Sequence, residues 1–127
     1  MATILIVEDN SIQQRILSYT LRKHGHTVVQ ARNGLEALDQ LAHAEVALAF
    51  VDFEMPEMDG LTLLRRLRTD ARYRTLPVVI LTASGLDEDR RAAEREGANC
   101  FLTKPASTHE LMDTVDQLLR GSPRADA

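Results

Sequence analysis

Five polar side chains with complementary chemistry each follow directly on a short apolar run: Glu8, Asp9, Asp52, Thr82 and Lys104. If the carboxylates converge, their charges repel unless a cation neutralises them. Mg²⁺ binds through one or two carboxylates together with waters and phosphate oxygens. A metal, an ammonium and a hydroxyl around one carboxylate would favour phosphoryl transfer, which depends on positioning and charge neutralisation. A carboxylate there can also be the nucleophile and form an aspartyl phosphate.

The elements that must bring these groups together alternate along the chain. Apolar, partly β-branched runs predict strands, and helical patterns follow each of them. The predicted strands are residues 4–7, 27–31, 46–51, 77–82 and 100–103. Five alternations predict an α/β domain with a parallel sheet, right-handed crossovers and helices on both faces. Ligands bind at the carboxyl ends of such strands, where the polar side chains lie.

The helical patterns predict which side chains face the core. The predicted N-caps are Asn10 or Ser11, Asn33, and Ser107 or Thr108, and Glu110 has capping-box spacing from Ser107. Residues 87–96 contain few apolar side chains that could pack on the core, which suits an element that shifts at a low cost in free energy. The predicted inward residues are Ile12, Ile16, Leu17, Tyr19 and Leu21 in the first helix, Leu35, Leu38 and Leu41 in the second, and Leu61, Leu64 and Leu67 in the third. Arg65, Arg66 and Arg68 are predicted to form a solvated face.

The composition favours one small domain. The 127 residues carry a net charge of −4, no tryptophan and no basic stripe, which argues against direct binding of nucleic acid. We predict a domain at 1–120 and a flexible tail at 121–127. No apolar run approaches the ~20 residues that span a bilayer, so no membrane association is expected. The N-terminus is predicted to be a strand rather than a signal peptide, and the single Cys100 fits a cytoplasmic location.

Four motifs in register resemble the receiver domains of response regulators in two-component signalling. They are Glu8-Asp9, Asp52 followed by Met55-Pro56-x-Met58-Asp59-Gly60, Thr82-Ala83, and Lys104-Pro105. The likeness runs from Thr3 to about Leu119, and the single-domain, chemotaxis-regulator-like form is the most similar type. It implies a flavodoxin-like, doubly wound sheet of strand order 2-1-3-4-5 with five helices on two faces.

The resemblance also implies a role for each site residue. Asp52 would accept a phosphoryl group from a sensor histidine kinase or a histidine phosphotransfer protein. Asp9, Asp52 and the backbone carbonyl of Glu54 would ligate Mg²⁺ (or Mn²⁺), and Glu8 would act through water. Lys104 and Thr82 would contact the phosphoryl oxygens. On this view the chain catalyses only its own phosphorylation and dephosphorylation, and is not a turnover enzyme.

The same resemblance implies how the signal would leave the site. Thr82 would move inward on phosphorylation and Phe101 would rotate into the space it vacates, although simple core packing of Phe101 is the alternative. The face formed by the fourth helix, fifth strand and fifth helix would then change its binding to an output partner, with dimerisation as one possible outcome. The Lys104-Pro105 peptide bond would be cis.

Three other functions use parts of this pattern. A phosphatase of the haloacid-dehalogenase kind needs a second aspartate two residues after its nucleophile, where this chain has Glu54. A flavin-binding electron carrier needs a phosphate-cradling loop after the first strand, where Glu8 and Asp9 would repel phosphate. A receiver acting as a non-phosphorylated interaction module would not need the full set of acids, threonine and lysine.

Overall fold

The computed structural model describes residues 2–55 and 58–120. It contains a parallel sheet of order β2-β1-β3-β4-β5, which confirms the predicted doubly wound fold. The strands are β1 (Thr3–Val7), β2 (Thr27–Ala31), β3 (Leu48–Asp52), β4 (Val78–Thr82) and β5 (Cys100–Thr103). The helices are α1 (Ser11–Lys23), α2 (Gly34–His43), α3 (Gly60–Arg68), α4 (Asp87–Arg95) and α5 (Thr108–Leu119).

The sheet separates two apolar cores, because successive strand residues point to opposite faces. Leu5 and Val7 belong to the core under α2, α3 and α4. Ile4 and Ile6 belong to the core under α1 and α5. The central strands β3 and β4 are buried along their whole length, as expected for strands covered on both faces.

Side-chain caps fix where the helices begin. Asn10, Asn33, Asp59 and Ser107 each accept a hydrogen bond from the backbone N–H three residues later. Ser107 and Glu110 form the predicted capping box. Each cap stabilises its helix by about 1 kcal/mol, so the start of α1, and with it the loop that carries Asp9, is held in place.

The predicted core face of α1 is partly wrong. Ile12, Ile16 and Tyr19 are 65%, 61% and 65% exposed. The helix instead turns Gln14, Leu17, Ser18 and Leu21 to the sheet. The polar pair is tolerated inside because its hydrogen bonds are satisfied: the Gln14 amide donates to the carbonyls of Glu8 and Ala31, and the Ser18 hydroxyl accepts from Gln30.

Two further orientations differ from the sequence predictions. Leu35 in α2 is exposed, because Ala37 and Leu41 take the inner face of that helix. Arg68 in α3 is not part of a solvated face. Its guanidinium donates to the carbonyls of Gly97 and Tyr73 and to Asn99 Oδ1, so it ties α3 to the segment that follows α4.

The helix α4 is the most lightly packed element of the fold. Only Ala93 is buried along its length, as the low apolar content predicts. Its C-terminal end is held from α3, where Arg65 makes a two-point ion pair with Glu96 at 3.0–3.2 Å. One end of α4 is therefore anchored by side chains of α3.

Two sequence predictions lie outside the described residues: the flexible tail at 121–127, and the structural part of the motif at Pro56. Among residues 2–55 and 58–120, no helix has the length and apolar character needed to cross a bilayer.

Candidate functional site

The sheet brings the three predicted carboxylates together at its carboxyl edge. β1 pairs directly with β3, with Val7 opposite Val51, so Glu8 and Asp9 emerge beside Asp52. One ligand oxygen from each of the three lies within 4.8 Å of the others. Glu8 and Asp52 are each only 4% exposed, whereas Asp9 is exposed at the rim.

Lys104 enters the same cluster from the end of β5. Its ammonium donates to Asp52 Oδ1 and Glu8 Oε1, both at 3.0 Å, and to Gln13 Oε1 at 2.9 Å. The backbone N–H of Lys104 donates to the Thr82 carbonyl at 2.7 Å, which continues the β4–β5 pairing to the edge of the site. The Lys104–Pro105 peptide bond is cis. This lysine is thus part of a buried ion cluster rather than a solvated side chain.

The electrostatics of the cluster follow from burial. Loss of solvent raises the pKa of the Asp52 carboxyl to about 6, although hydrogen bonds from Lys104 and from the Glu54 backbone act to lower it. The neighbouring Glu8 charge is a second, smaller contribution to this raised pKa. Burial alone would lower the pKa of Lys104, but its hydrogen bonds to Glu8 and Asp52 outweigh this and the pKa is raised. Lys104 therefore remains an ammonium at neutral pH.

Thr82 reaches the same edge from β4 and is fully buried. Its hydroxyl oxygen accepts a hydrogen bond from the Ser84 backbone at 3.0 Å. Within the described chain, no hydrogen bond joins that hydroxyl to the carboxylates. Ser84 in turn donates from its hydroxyl to Asp89 Oδ2 at 2.7 Å, on the first turn of α4. A short hydrogen-bonded chain therefore links Thr82 to α4.

Phe101 is buried, whereas the side chain of Glu54 is exposed. Phe101 is 6% exposed and packs in the core, with its ring in a T-shaped arrangement against Phe53. The side chain of Glu54 is exposed, so this extra acid stands at the mouth of the site.

Three contributors to the site were not predicted as such from sequence. Gln13 supplies the third acceptor for Lys104. Gln14 braces the end of β1 by donating to the Glu8 carbonyl. Gly60 lets α3 start against β3, because a Cβ there would lie 2.5 Å from the Asp52 carbonyl oxygen. The position of both glutamines one turn after Glu8-Asp9 was the only signal available.

The donor set fits a hard divalent cation. Three carboxylates face one ammonium, and the described part of the chain provides no hydrogen bond or ion pair to the Asp9 side chain. Oxygen ligands with surplus negative charge are those that Mg²⁺ prefers. Glu8, Asp9 and Asp52 are therefore the candidate carboxylate ligands for such a cation.

A groove of about 400 Å³ opens beside the cluster. It runs between α1 and the connection from β5 to α5, with Gln13 and Lys104 at its polar end and Ile16, Leu17 and Leu111 along its apolar walls. Glu8 and Lys104 of the cluster therefore border a surface groove with an apolar wall on α1.

Comparisons with known proteins agree with this geometry. The family model for the response regulator receiver domain matches residues 4–116. The protein PilH of Pseudomonas aeruginosa is 34% identical, over 95% of this chain and 100% of its own length. The chemotaxis protein CheY1 of Helicobacter pylori is 32% identical, over 91% and 95%.

Two solved structures are also similar to this one. The receiver domain of a signal transduction histidine kinase from Syntrophus aciditrophicus has a TM-score of 0.89 and 36% identity, and the match covers 100% of this chain and 96% of that one. The receiver domain of the sensor histidine kinase PA1611 from Pseudomonas aeruginosa, with a magnesium ion in its active-site cleft, has a TM-score of 0.86 and 30% identity, over 95% and 98%.

Proposed function

Because this chain belongs to the family of response regulator receiver domains, we propose that it is a phosphorylation-activated switch with Asp52 as the phosphoacceptor. The observation that carries the proposal is the Asp52 carboxylate itself. It is buried at the carboxyl edge of the sheet, lies 3.0 Å from the Lys104 ammonium, and shares its cluster with Glu8 and Asp9. The Asp52 carboxylate, which would be the nucleophile, thus has an ammonium and two further carboxylates beside it.

Asp9 and Asp52 would ligate Mg²⁺ directly, together with the backbone carbonyl of Glu54, and Glu8 would act through water. Mn²⁺ would suit the same oxygen ligands. When bound, the metal neutralises charge on the carboxylates and on the phosphoryl oxygens. The magnesium seen in the cleft of the PA1611 receiver domain supports this assignment by likeness.

The residues of the chain itself would act as follows. A carboxylate oxygen of Asp52 forms a bond to phosphorus while the bond to the donor nitrogen breaks, and the electron pair of that bond stays on the donor imidazole. Lys104 would offset the charge on the transferred phosphoryl oxygens, and the Thr82 hydroxyl would donate to one of them. In the later hydrolysis, water attacks phosphorus, the bond to Asp52 breaks, and inorganic phosphate leaves.

The donor would be a histidine kinase or a histidine phosphotransfer protein, because an imidazole phosphate must reach Asp52. Ile12 and Ile16 are exposed on α1, and the groove beside Ile16 leads to Lys104. A donor helix that covers these isoleucines would bring its histidine to the site. A cytoplasmic cycle is expected, because Cys100 carries a free thiol.

The signal of phosphorylation would pass along the hydrogen bonds that join Thr82 to Ser84 and Ser84 to Asp89. If Thr82 moves inward so that its hydroxyl donates to a phosphoryl oxygen, the hydroxyl oxygen moves away from the Ser84 backbone N–H. The first turn of α4, which Ser84 contacts through Asp89, would then shift. The surface formed by α4, β5 and α5, including Phe101, would then change its affinity for a partner or for a second copy of the chain.

The test is exposure of the purified protein to acetyl phosphate and Mg²⁺, followed by intact mass measurement. One phosphoryl adduct is expected on the wild type, none on Asp52→Asn, and none in the wild type after chelation of the metal. A wild type that takes no adduct from acetyl phosphate or from a panel of kinases would favour the non-phosphorylated interaction module. An adduct that persists under chelation would show the metal assignment to Asp9 to be wrong.

A further inference from the structure

A second groove, of about 660 Å³, lies between α1 and β2, the edge strand of the sheet. Arg15, Arg22 and Lys23 line it from α1, and Gln30 lines it from β2. None of the described residues that line it is acidic, although the whole chain has a net charge of −4. This basic groove therefore concentrates positive charge on a chain that is acidic as a whole.

The two arginines of the basic groove are not neutralised by the fold. Both are exposed, and within residues 2–55 and 58–120 neither Arg15 nor Arg22 makes a hydrogen bond or an ion pair. Arg32, Arg65 and Arg72 differ, because each of them pairs with an acid. An unpaired guanidinium can bind a carboxylate through two parallel hydrogen bonds. The basic groove thus offers two guanidinium groups to a ligand from outside the domain.

Ser18 and Tyr19 complete the basic groove. The Ser18 hydroxyl is 2% exposed and accepts a hydrogen bond from Gln30. No acceptor in the described part of the chain takes the Ser18 proton. Tyr19 is 65% exposed, with the Lys23 ammonium 5.9 Å from the centroid of its ring. A ligand oxygen can therefore take the Ser18 proton, while the tyrosine ring packs against the aliphatic part of the same ligand.

The spacing of the arginines favours a long ligand with several negative charges. Arg15 and Arg22 are seven residues apart, so their Cα atoms are separated by about 10 Å along the axis of α1. An extended peptide rises about 3.3 Å per residue, so a run of about four acidic residues spans this distance. A nucleic acid is also a linear polyanion, but proteins that bind it commonly make more phosphate contacts than the three cations of this groove could provide. The ligand that fits best is a short acidic stretch of polypeptide.

We propose that the basic groove is a docking site for an acidic segment of a partner protein. It lies on the flank of α1 opposite to the groove beside the carboxylate cluster, since Thr20, which lines that other groove, projects about 200° away from Arg22 around the helix. None of the described residues that line the basic groove belongs to α4, β5 or α5. The docking site is therefore separate from the proposed output surface, and it holds its partner equally well before and after phosphorylation of Asp52.

The probe for this site is fluorescein-labelled octaglutamate, whose binding to the purified protein is followed by fluorescence anisotropy at physiological ionic strength. The wild type should bind the peptide, and its affinity should fall as salt is added, because exposed charge pairs are screened. Arg15→Gln/Arg22→Gln should bind octaglutamate roughly 3- to 20-fold more weakly, the range set by two exposed charge pairs. Absence of binding to the wild type would overturn the proposal.

Arg91→Gln/Arg95→Gln is the matched control for the double variant of the basic groove. It removes the same charge from exposed positions of α4, which packs on the other face of the sheet. Its affinity for octaglutamate should stay within about 2-fold of that of the wild type, because charges more than about 8 Å apart are largely screened at this ionic strength. Thermal unfolding of both double variants checks that each is folded.

A second measurement locates the bound peptide. In ¹⁵N-labelled protein, octaglutamate should shift the backbone amide signals of residues 15–23 and of Gln30 and leave those of residues 87–95 in place. Tripolyphosphate represents a small anion in the same experiment, and oligothymidylate represents a nucleic acid. Each of them should bind the wild type more weakly than octaglutamate does, since the first is too short to extend along the groove and the second is suited to a larger set of cations.

Three results would overturn the docking site. An equal loss of affinity in the two double variants would show a response to net charge alone. Shifted amide signals confined to residues outside the basic groove would place the peptide elsewhere. Tighter binding of tripolyphosphate or of oligothymidylate would make the ligand a small anion or a nucleic acid instead of an acidic segment.

The proposed function is tested separately from this docking site. With Mg²⁺ present throughout, the affinity for octaglutamate should be the same before and after treatment with acetyl phosphate, and a change would show that docking depends on phosphorylation. A wild type that binds the peptide but takes no phosphoryl group would overturn the proposed function alone. A wild type that is phosphorylated but does not bind the peptide would overturn the docking site alone.

Discussion

The guanidinium of Arg90 lies over the ring of Phe101, 4.9 Å from the ring centroid. The same ring makes a T-shaped contact with Phe53, which directly follows β3, at a centroid distance of 6.3 Å. Phe101 therefore contacts both α4 and the residue that follows Asp52. A change at β3, which carries the proposed phosphoacceptor, and a change in α4 would meet at this one side chain.

The first prediction concerns Arg90. Arg90→Gln should lower the free energy of unfolding by about 0.5–1 kcal/mol, the usual contribution of a cation–π contact near the surface. Urea denaturation measures the change. Arg91→Gln is the matched control, because Arg91 is the next residue of α4, is exposed, and makes no ring contact among the described residues. Equal losses in the two variants would mean that the Arg90–Phe101 contact contributes nothing of its own.

The second prediction concerns Gly60. A Cβ there would lie 2.5 Å from the Asp52 carbonyl oxygen and 3.0 Å from the Phe53 Cα, both backbone atoms that cannot turn aside. Gly60→Ala should therefore destabilise the protein by about 1–3 kcal/mol, despite the better helix propensity of alanine, and should reduce phosphoryl uptake at Asp52.

Gly85→Ala provides the comparison for Gly60→Ala. The nearest atom to a Cβ at Gly85 is Thr103 Cγ2 at 3.9 Å, which is ordinary contact. The midpoint of thermal unfolding of Gly85→Ala and its yield of phosphoryl adduct should stay close to those of the wild type. If Gly60→Ala behaves in the same way as Gly85→Ala, then α3 does not limit the position of Asp52.

The third prediction concerns Arg68. Arg68→Met removes three hydrogen bonds, to the carbonyls of Gly97 and Tyr73 and to Asn99 Oδ1. The Tyr73 carbonyl and Asn99 Oδ1 keep backbone donors, but among the described residues the Gly97 carbonyl has no other donor. The free energy of unfolding should fall by about 2 kcal/mol or more. Arg66→Met, on the exposed side of the same helix, should change it by less than about 0.5 kcal/mol. A small effect in both variants would restore the solvated-face interpretation of the arginine cluster.

Local pattern predicted the parallel sheet and put Glu8, Asp9, Asp52 and Lys104 at one edge of it, whereas the strand order that makes β1 and β3 neighbours followed from the resemblance. Apolar runs end where the polar side chains begin, and parallel strands put those ends on one edge. Local pattern failed for α1, whose apolar residues form two stripes. The stripe with Ile12 and Ile16 is the more apolar, but the buried stripe holds Gln14 and Ser18.

The buried face of α1 was mispredicted because tertiary contacts decide which residues of that helix are buried. Gln14 and Ser18 are acceptable inside only because Ala31 and Gln30 of β2 satisfy them, and no helical periodicity contains this information. The contact between Gln13 and Lys104 joins positions 91 residues apart and was equally hidden. Arg68 was misassigned for the same reason, since its acceptors Gly97 and Asn99 lie across the fold.

The last prediction is a pH dependence of stability in metal-free protein. The pKa of Asp52 is raised to about 6 in the folded state, from an ordinary value of 3.8, chiefly by burial. The folded state therefore holds the proton more tightly than the unfolded state. This contribution to stability is fully present below pH 3.8 and is lost as the pH rises through 6. Between pH 5 and pH 8 the loss should be about 1 kcal/mol.

Asp52→Asn lacks the titrating carboxyl, so it should not show this loss. Urea denaturation of wild type and variant at pH 5 and pH 8, with chelator present, should give a stability difference that moves by about 1 kcal/mol in favour of the variant at the higher pH. Asp59→Asn is the control, because asparagine caps α3 as well as aspartate does and the difference from wild type should be nearly independent of pH. The prediction is wrong if the stability of Asp52→Asn relative to wild type rises between pH 5 and pH 8 by no more than that of Asp59→Asn. That result would mean that Lys104 fully compensates the cost of burying the Asp52 carboxylate.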